Sequence, residues 1–271
     1  MTTPAFSTIT KSWHSFISNK KLILFAVLVD LIFVIALTQL HYEVFSKASE
    51  HAVRLTTMIG EQAKIIAETE NVTDMTLLNS PEFMTEYNQL LKYIGLFVLG
   101  ALLAWLVCKG ILWFIAHNVA EKKQHSGWFV LNFAGITTLW FIGLIIITVI
   151  SLNLLDYATT TVFPLIGIKM ANIITMLLFW ALTYFVYVSY ALVPHKVFTQ
   201  TFIIGTKQWK QLLPVHLLST IITLIAILTP SLLMKTNPYL PLVFGILFSL
   251  PALAWTRVLW VTAVHGVIEH G

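Results

Sequence analysis

Six apolar runs of about 20 residues each decide what this chain can fold into. A helix of about 20 apolar residues spans the hydrocarbon core of a bilayer. The runs lie at 22–40, 94–116, 128–152, 171–193, 213–234 and 241–265, and Pro251 is expected to split the last of them. Only 10% of the 271 residues are charged, against about 25% in soluble domains. The sequence therefore predicts an all-α polytopic membrane helix bundle, 1–271, with six transmembrane helices.

The loop charges predict which side of the membrane each loop faces. Lys and Arg residues in short loops favour the cytoplasmic side. Eight lysines, accompanied only by Glu121, lie before the first span and after the second and fourth: Lys11, Lys20, Lys21, Lys122, Lys123, Lys196, Lys207 and Lys210. Both termini, 1–21 and 266–271, are therefore expected in the cytoplasm of a multi-pass protein of the cell membrane.

A threefold pattern recurs where the chain returns to the cytoplasm. Each inward helix ends in His-x-Val, with the histidines at His117, His195 and His265. Eight residues before these histidines stand Lys109, Tyr187 and Arg257, and a tryptophan precedes each outward helix. The chain can be interpreted as three hairpins, each with a short interfacial segment, an outward helix and an inward helix. The alternative is that His and Trp recur only because both favour membrane interfaces.

The stretch Phe202–Leu228 contains a polar segment, Gly-Thr-Lys-Gln-Trp-Lys-Gln, that leads into an apolar run. Together with the hairpin pattern, it resembles the six-helix membrane region of some glycerophosphodiester phosphodiesterases and of uncharacterised membrane relatives. The resemblance covers about the last four spans and rests on pattern, not on a diagnostic motif. It implies a six-helix membrane module. The catalytic domain of those enzymes has no counterpart in this sequence, so the resemblance implies no enzymatic role.

Residues 41–92 form the one segment long enough for an extramembrane domain, and they carry eight acidic and four basic side chains. Apolar and small residues in this segment step by three and four, which predicts a heptad seam on a helix that extends the first span to about Glu68. The seam residues are Phe45, Ala48, Ala52, Leu55, Ile59 and Ile66. Glu50 and Arg54 have the spacing of an i,i+4 ion pair.

A second helix of this segment is expected to begin at Ser80, an N-cap residue, with Pro81 at the first helical position. The two helices would form an extracytoplasmic helical hairpin. Its seam either packs the two arms together or binds a protein partner or a second copy of the chain. Asn71 begins an Asn-Val-Thr triplet on the outer side, a candidate glycosylation site.

Asp30 is the one acidic residue inside a predicted span, and such a residue is a functional-site hypothesis unless it is paired. By helical rise, Asp30, Lys109 and Arg257 lie about 12–14 Å from the inner boundary. The sequence predicts an intramembrane cluster of these three residues. The cluster is a structural clamp or part of an ion or substrate path, unless Asp30 is protonated and unpaired.

Histidines concentrate near the cytoplasmic ends of the predicted spans: His14, His117, His125, His195, His216, His265 and His270. Three of them, His117, His195 and His265, would lie at one level of a closed bundle. Three neutral imidazoles can hold zinc, but histidine also interacts favourably with a helix C-terminus. Neither a metal nor a cofactor is predicted.

The sequence lacks the His-Glu-x-x-His, Gly-x-Ser-x-Gly and phosphate-loop motifs of enzymes. It favours a non-enzymatic scaffold or accessory subunit that contacts lipid and binds a protein partner. The alternative is a small transporter or channel that uses Asp30, Arg257 and Lys109, and a third hypothesis is a membrane-embedded enzyme. The net charge of +4 comes from lysines spread over loops, a distribution that does not predict nucleic-acid binding.

Overall fold

The computed structural model describes residues 4–69, 80–121, 126–160, 166–193, 197–235 and 239–270, and within them it is helical throughout, without strands. The predicted all-α polytopic bundle is confirmed. Three of the helices contain a five-residue π-helical segment. For each of these helices three ranges are given below, and the middle range is the π-helical segment. The helices are α1 (Pro4–Ser18), α2 (Lys20–Leu40, His41–Phe45, Ser46–Thr69), α3 (Pro81–Ala104, Trp105–Lys109, Gly110–Glu121), α4 (Ser126–Thr160), α5 (Ile168–Ala191), α6 (Val197–Lys207), α7 (Trp209–Leu233) and α8 (Leu240–Phe244, Gly245–Ser249, Leu250–His270).

Six of these helices, α2, α3, α4, α5, α7 and α8, are long and apolar enough to cross a membrane. Each overlaps one of the six predicted spans. The helices extend beyond the apolar runs, since α4 alone has 35 residues, or about 50 Å at 1.5 Å per residue. Apolar content therefore located the spans, whereas helix length depends on where helix-breaking residues occur.

Pro251 does not split the last span, contrary to the sequence-based expectation. Pro251 is the second residue of Leu250–His270, and this part of α8 follows directly on the π-helical segment Gly245–Ser249. A proline removes one helical hydrogen bond and crowds the preceding turn. The wider π-helical turn before Pro251 offers room for the ring, and α8 continues.

The chain divides into two compact units, residues 1–31 with 106–271 and residues 32–105. In the first unit, α8 is the central helix and packs against α1, α5, α7 and the Gly110–Glu121 part of α3. Leu259, Trp260, Val261 and Val264 of α8 are completely buried. Helices α4 and α6 pack against α5.

The second unit contains a helical hairpin in which Ser46–Thr69 packs along Pro81–Ala104. Ser80 caps the second arm, since its hydroxyl accepts a hydrogen bond from the Phe83 amide at 3.2 Å. Pro81 occupies the first turn, where its missing N–H costs nothing. Helices α2 and α3 approach each other closely near Gly100, where a Cβ atom would lie 2.8 Å from Leu40 Cδ1.

Short helices precede two of the three predicted hairpins. Helix α1 comes before α2, and α6 before α7. No such helix stands before α4 in the described part of the chain, where only residues 122–125 separate it from α3. The order of elements thus follows the threefold pattern for the first and third hairpins.

Candidate functional site

The structure brings the three predicted charged residues of the first unit together. Arg257 on α8 donates two hydrogen bonds to the Asp30 carboxylate on α2, from Nη1 to Oδ2 at 2.7 Å and from Nη2 to Oδ1 at 2.8 Å. Lys109 on α3 donates from Nζ to Oδ1 at 2.9 Å. Asp30 is 2% exposed. Both carboxylate oxygens are therefore engaged, in the planar two-point geometry that makes Arg–carboxylate pairs strong.

The position of Lys109 depends on a local feature of α3. Lys109 is the last residue of the π-helical segment Trp105–Lys109. A π-helical turn contains one more residue than an α-helical turn and turns the following side chains to a different face of the helix. No feature of the sequence predicts this π-helical segment, although helical rise alone predicts that Lys109 and Asp30 lie at the same depth.

Tyr187 on α5 completes the set of equivalent positions in the threefold pattern. Its ring stacks on Trp260 of α8, with 5.5 Å between centroids and 9° between planes. Trp260 lies one turn after Arg257 on the same helix, so Tyr187 packs against α8 near the charged cluster.

Of the histidines of the pattern, His117 is completely buried and His265 is half-buried. His117 Nε2 donates to the Tyr190 carbonyl at 3.0 Å, and its ring lies edge-on to that of His265 with 6.0 Å between centroids. His195 lies outside the described residues. No group of three His, Cys, Asp or Glu side chains within the described residues could hold a metal ion.

His216, near the start of α7, is a buried residue of the first unit. It donates from Nε2 to the Trp180 carbonyl at 3.2 Å. The rings of Trp180, Tyr184 and Trp260 surround it at 4.8–5.7 Å. Its position near the cytoplasmic end of a span stays a prediction.

The predicted seam of the hairpin divides between the interior and the surface. Ala48 and Leu55 are 3% and 7% exposed, whereas Phe45 and Ile59 are 42% and 51% exposed. Ala52 is half-buried, and Ile66 belongs to the helix Ser46–Thr69. The centre of the seam therefore packs within the hairpin and is not available to a partner. Asn71, the candidate glycosylation site, lies outside the described residues.

Arg54 pairs across the hairpin instead of with Glu50, which corrects the expected i,i+4 pair. Its Nη1 lies 3.3 Å from Glu86 Oε1, and His51 Nδ1 lies 2.5 Å from Glu86 Oε2. Glu86 precedes the predicted span 94–116, and its hydrogen bond with His51 helps to hold the pKa of the carboxyl below its usual value. The His51 ring also stacks on Tyr93 at 5.5 Å.

Two open grooves run along one side of the hairpin and share Val53 and Arg54. One, of about 620 Å³, lies between the arms and includes Met58, Glu82 and Glu86. The other, of about 740 Å³, runs along the first arm. It is lined by His41, Phe45, Ser46, Ser49, Glu50, Val53 and Arg54. From residue 45 to residue 58 the combined groove is about 20 Å long by helical rise.

Comparisons with family models, curated protein sequences and solved structures found no match to this chain.

Proposed function

We propose that this multi-pass membrane protein is a non-enzymatic scaffold or accessory subunit that binds a basic helical segment of a partner protein through the grooved side of its hairpin. The observation that carries the proposal is the pair of connected grooves on that side. Their shared residue Val53 is 61% exposed. An apolar groove of this length fits the apolar face of an amphipathic helix, a common mode of peptide recognition.

The charge of the hairpin favours a basic partner over a second copy of the chain. The residues that line the two grooves include three carboxylates, Glu50, Glu82 and Glu86, and one cation, Arg54. Two copies docked groove to groove would bring these acidic surfaces together. Charge complementarity suppresses such wrong pairings and guides the correct partner.

The geometry of the Asp30 cluster also suits a scaffold. A carboxylate that accepts three hydrogen bonds from two cations is held in one arrangement, and breaking it would leave charges unpaired in a medium of low dielectric constant. Such an arrangement is a clamp between α2, α3 and α8. A carrier site would have to exchange these bonds for bonds to its substrate in every cycle.

A small transporter or channel remains the second candidate, because two cations share one carboxylate. The cluster therefore has a formal charge of +1 inside the predicted spans. An anionic substrate could neutralise the excess charge. Lys109 would be the first contact for such a substrate, since its side chain is 14% exposed and that of Asp30 is 3% exposed.

Site-specific photo-crosslinking in cells tests the scaffold proposal. A photoreactive residue at Val53 should join the chain to one partner whose crosslinked segment is helical and rich in Lys or Arg. The matched control is Ala63, an exposed residue of the same arm that lines neither groove. Glu82→Lys should weaken the crosslink at Val53, because it reverses a charge in the groove.

Three outcomes would contradict the proposal. Equal crosslinking from Val53 and Ala63 would show that the groove has no special role. A crosslink between two copies would replace the basic partner by self-association. No crosslink, together with a substrate-dependent melting shift that Asp30→Asn abolishes, would favour the transporter.

A further inference from the structure

A cavity separate from the grooves of the hairpin lies in the first unit, among α1, α7 and α8. Its volume is about 300 Å³, at the small end of the range of about 300–1,000 Å³ for small-molecule pockets. Polar and charged side chains from all three helices line it: Ser7, Thr8, Lys11, Gln211, Thr262 and Glu269. None of these residues belongs to the Asp30 cluster or to the grooves of the hairpin.

The walls of this cavity carry two opposite charges, and neither forms an ion pair within the described residues. Lys11 projects from α1 and Glu269 from the last turn of α8. The ion pairs within the described residues involve Asp30 and Glu86 as the carboxylates, so neither Lys11 nor Glu269 takes part in one. A ligand with one anionic and one cationic group would satisfy both.

The surroundings of Lys11 favour the anionic end of such a ligand. Ser7 and Thr8 lie one turn before it, near the start of α1 at Pro4. Backbone N–H groups in the first turn of a helix lack intrahelical partners, and the helix dipole is positive at this end. The Lys11 ammonium group beside a helix start suits a phosphate.

Glu269 defines the other end of the ligand. A carboxylate in the same cavity would repel an anion that had no cationic group. A primary ammonium can donate hydrogen bonds to the carboxylate, whereas a quaternary ammonium has no N–H and prefers aromatic cages. None of the described residues that line this cavity is aromatic. Val215, Ala263 and Val267 provide an apolar wall for the carbon atoms between the two charged groups.

Helix α1 has the residues of a segment that lies at a membrane surface. Trp13 and Ile17 are 48% and 46% exposed on a helix that also carries Lys11. Tryptophan and lysine favour the headgroup level of a bilayer. The helix is fixed to α8 by the edge-on contact between Trp13 and Trp255 and by the hydrogen bond from Trp255 Nε1 to Ser12 Oγ at 3.3 Å.

The geometry points to a binding site for a phosphoethanolamine-type zwitterion, with its phosphate at Lys11 and its primary ammonium at Glu269. Two sources can supply this chemistry: the headgroup of a membrane lipid or the free soluble compound. The cavity fits the headgroup in either case, and the acyl chains of a lipid would remain outside it.

Lipid binding to the purified full-length protein in mild detergent tests the site. Phosphatidylethanolamine, phosphatidylcholine and phosphatidylglycerol with identical acyl chains are titrated, and bound lipid is counted by native mass spectrometry. Phosphatidylethanolamine should bind about tenfold more tightly than the other two, because only it both presents a phosphate to Lys11 and can donate N–H hydrogen bonds to Glu269. Soluble phosphoethanolamine, added alone, shows whether the headgroup is sufficient without the chains.

Two charge variants separate the ends of the ligand. Lys11→Gln should weaken phosphatidylethanolamine and phosphatidylglycerol alike, because both present a phosphate. Glu269→Gln should weaken phosphatidylethanolamine about tenfold and strengthen phosphatidylglycerol, since a repulsive carboxylate is removed. Lys20→Gln and Glu61→Gln remove exposed charges elsewhere and should leave all three affinities unchanged.

Gly266 provides a steric variant that keeps both charges. It lines the cavity, and a Cβ atom there would meet no heavy atom within 4 Å. Gly266→Leu should therefore fold with an unchanged melting temperature, yet fill the cavity and abolish the preference. Equal affinity for the three lipids, an unchanged preference in Glu269→Gln, or full binding by a folded Gly266→Leu protein would each overturn the proposal. Binding of soluble phosphoethanolamine would support the same site for a soluble ligand.

Discussion

Single charged residues inside the spans have the largest expected effects on stability. Asp30, Lys109 and Arg257 are held together by three hydrogen bonds between charged groups. Burial of each charged group costs desolvation free energy, and only the attraction to the other two groups offsets this cost. The value of each residue therefore depends on which of the others are present, and single substitutions should not add.

A double-mutant cycle tests this dependence. Asp30→Asn should lower the stability of the detergent-solubilised protein by about 3–5 kcal/mol, because it leaves two buried cations without an anion. Arg257→Gln should also lower stability, but by less, because Lys109 still pairs with Asp30. The double variant should lose less than the sum of the two. Thermal unfolding measures all three variants, with the exposed Asp156→Asn as the silent control. Additive losses would show that the two residues are not coupled.

Lys109 should matter less than Arg257. Lys109→Met keeps the length of the side chain and leaves the neutral two-point pair of Asp30 and Arg257 intact. Arg257→Met leaves Asp30 with a single hydrogen bond from Lys109. The loss of unfolding free energy should thus be smaller for Lys109→Met, by about 1–3 kcal/mol. The reverse order would mean that Lys109 is the principal partner of Asp30.

At the scale of elements, helix pairs are fixed by a few buried contacts that the hydrophobic pattern only partly identifies. In the hairpin, Leu55 packs inside although Ile59, one turn later in the same predicted seam, is half exposed. Helix α6 is attached to α5 by the Tyr184 hydroxyl, which donates to the Gly205 carbonyl at 2.7 Å. Contacts of both kinds can be tested one at a time.

Leu55→Glu should loosen the hairpin, because it places a charge where an apolar side chain is buried. Ile59→Glu should change protease sensitivity only slightly, and the exposed Glu61→Gln not at all. The measurement is the rate of limited proteolysis of the solubilised protein. Equal rates for the Leu55 and Ile59 variants would show that the heptad spacing, not the observed burial, decides the stability of this arm.

Tyr184→Phe should lower stability by about 1 kcal/mol, because it leaves a buried carbonyl without its hydrogen-bond donor. Tyr42→Phe removes a hydroxyl from a tyrosine that is 70% exposed and should be neutral. Thermal unfolding again provides the comparison. Two equal, negligible effects would mean that apolar packing around Phe185 and Phe202, not the hydrogen bond, attaches α6 to α5.

For the whole molecule, the sided arguments depend on the orientation predicted from the lysines. In a Cys108→Ser background, a cysteine at Glu61 should react with a membrane-impermeant thiol reagent in intact cells. A cysteine at Lys207 should react only after the cells are opened. Both positions are exposed on helices, so a lack of labelling reflects sidedness and not burial. Labelling of Lys207 alone in intact cells would reverse the topology.

The sequence predicted the fold from features that act along the chain, and it predicted less where the outcome depends on packing between helices. Apolar run length located all six spans, and helical rise placed Asp30, Lys109 and Arg257 at one depth. Neither quantity contains the rotation of a helix about its axis, which the π-helical segment ending at Lys109 changes. The same missing information explains why the i,i+4 spacing predicts a pair of Arg54 with Glu50, whereas the structure pairs Arg54 with Glu86 across the hairpin.

The excess positive charge of the Asp30 cluster has an electrical consequence. A unit charge that crosses 100 mV does about 2.3 kcal/mol of work. At the depth of about 12–14 Å from the inner boundary that the sequence predicts, in a hydrocarbon layer about 30 Å thick, roughly half of the voltage drop separates the cluster from the cytoplasm. An inside-negative potential therefore pulls it toward the cytoplasm with an energy on the order of 1 kcal/mol. With Arg257→Gln the cluster becomes neutral, and the protein no longer senses the voltage through these residues.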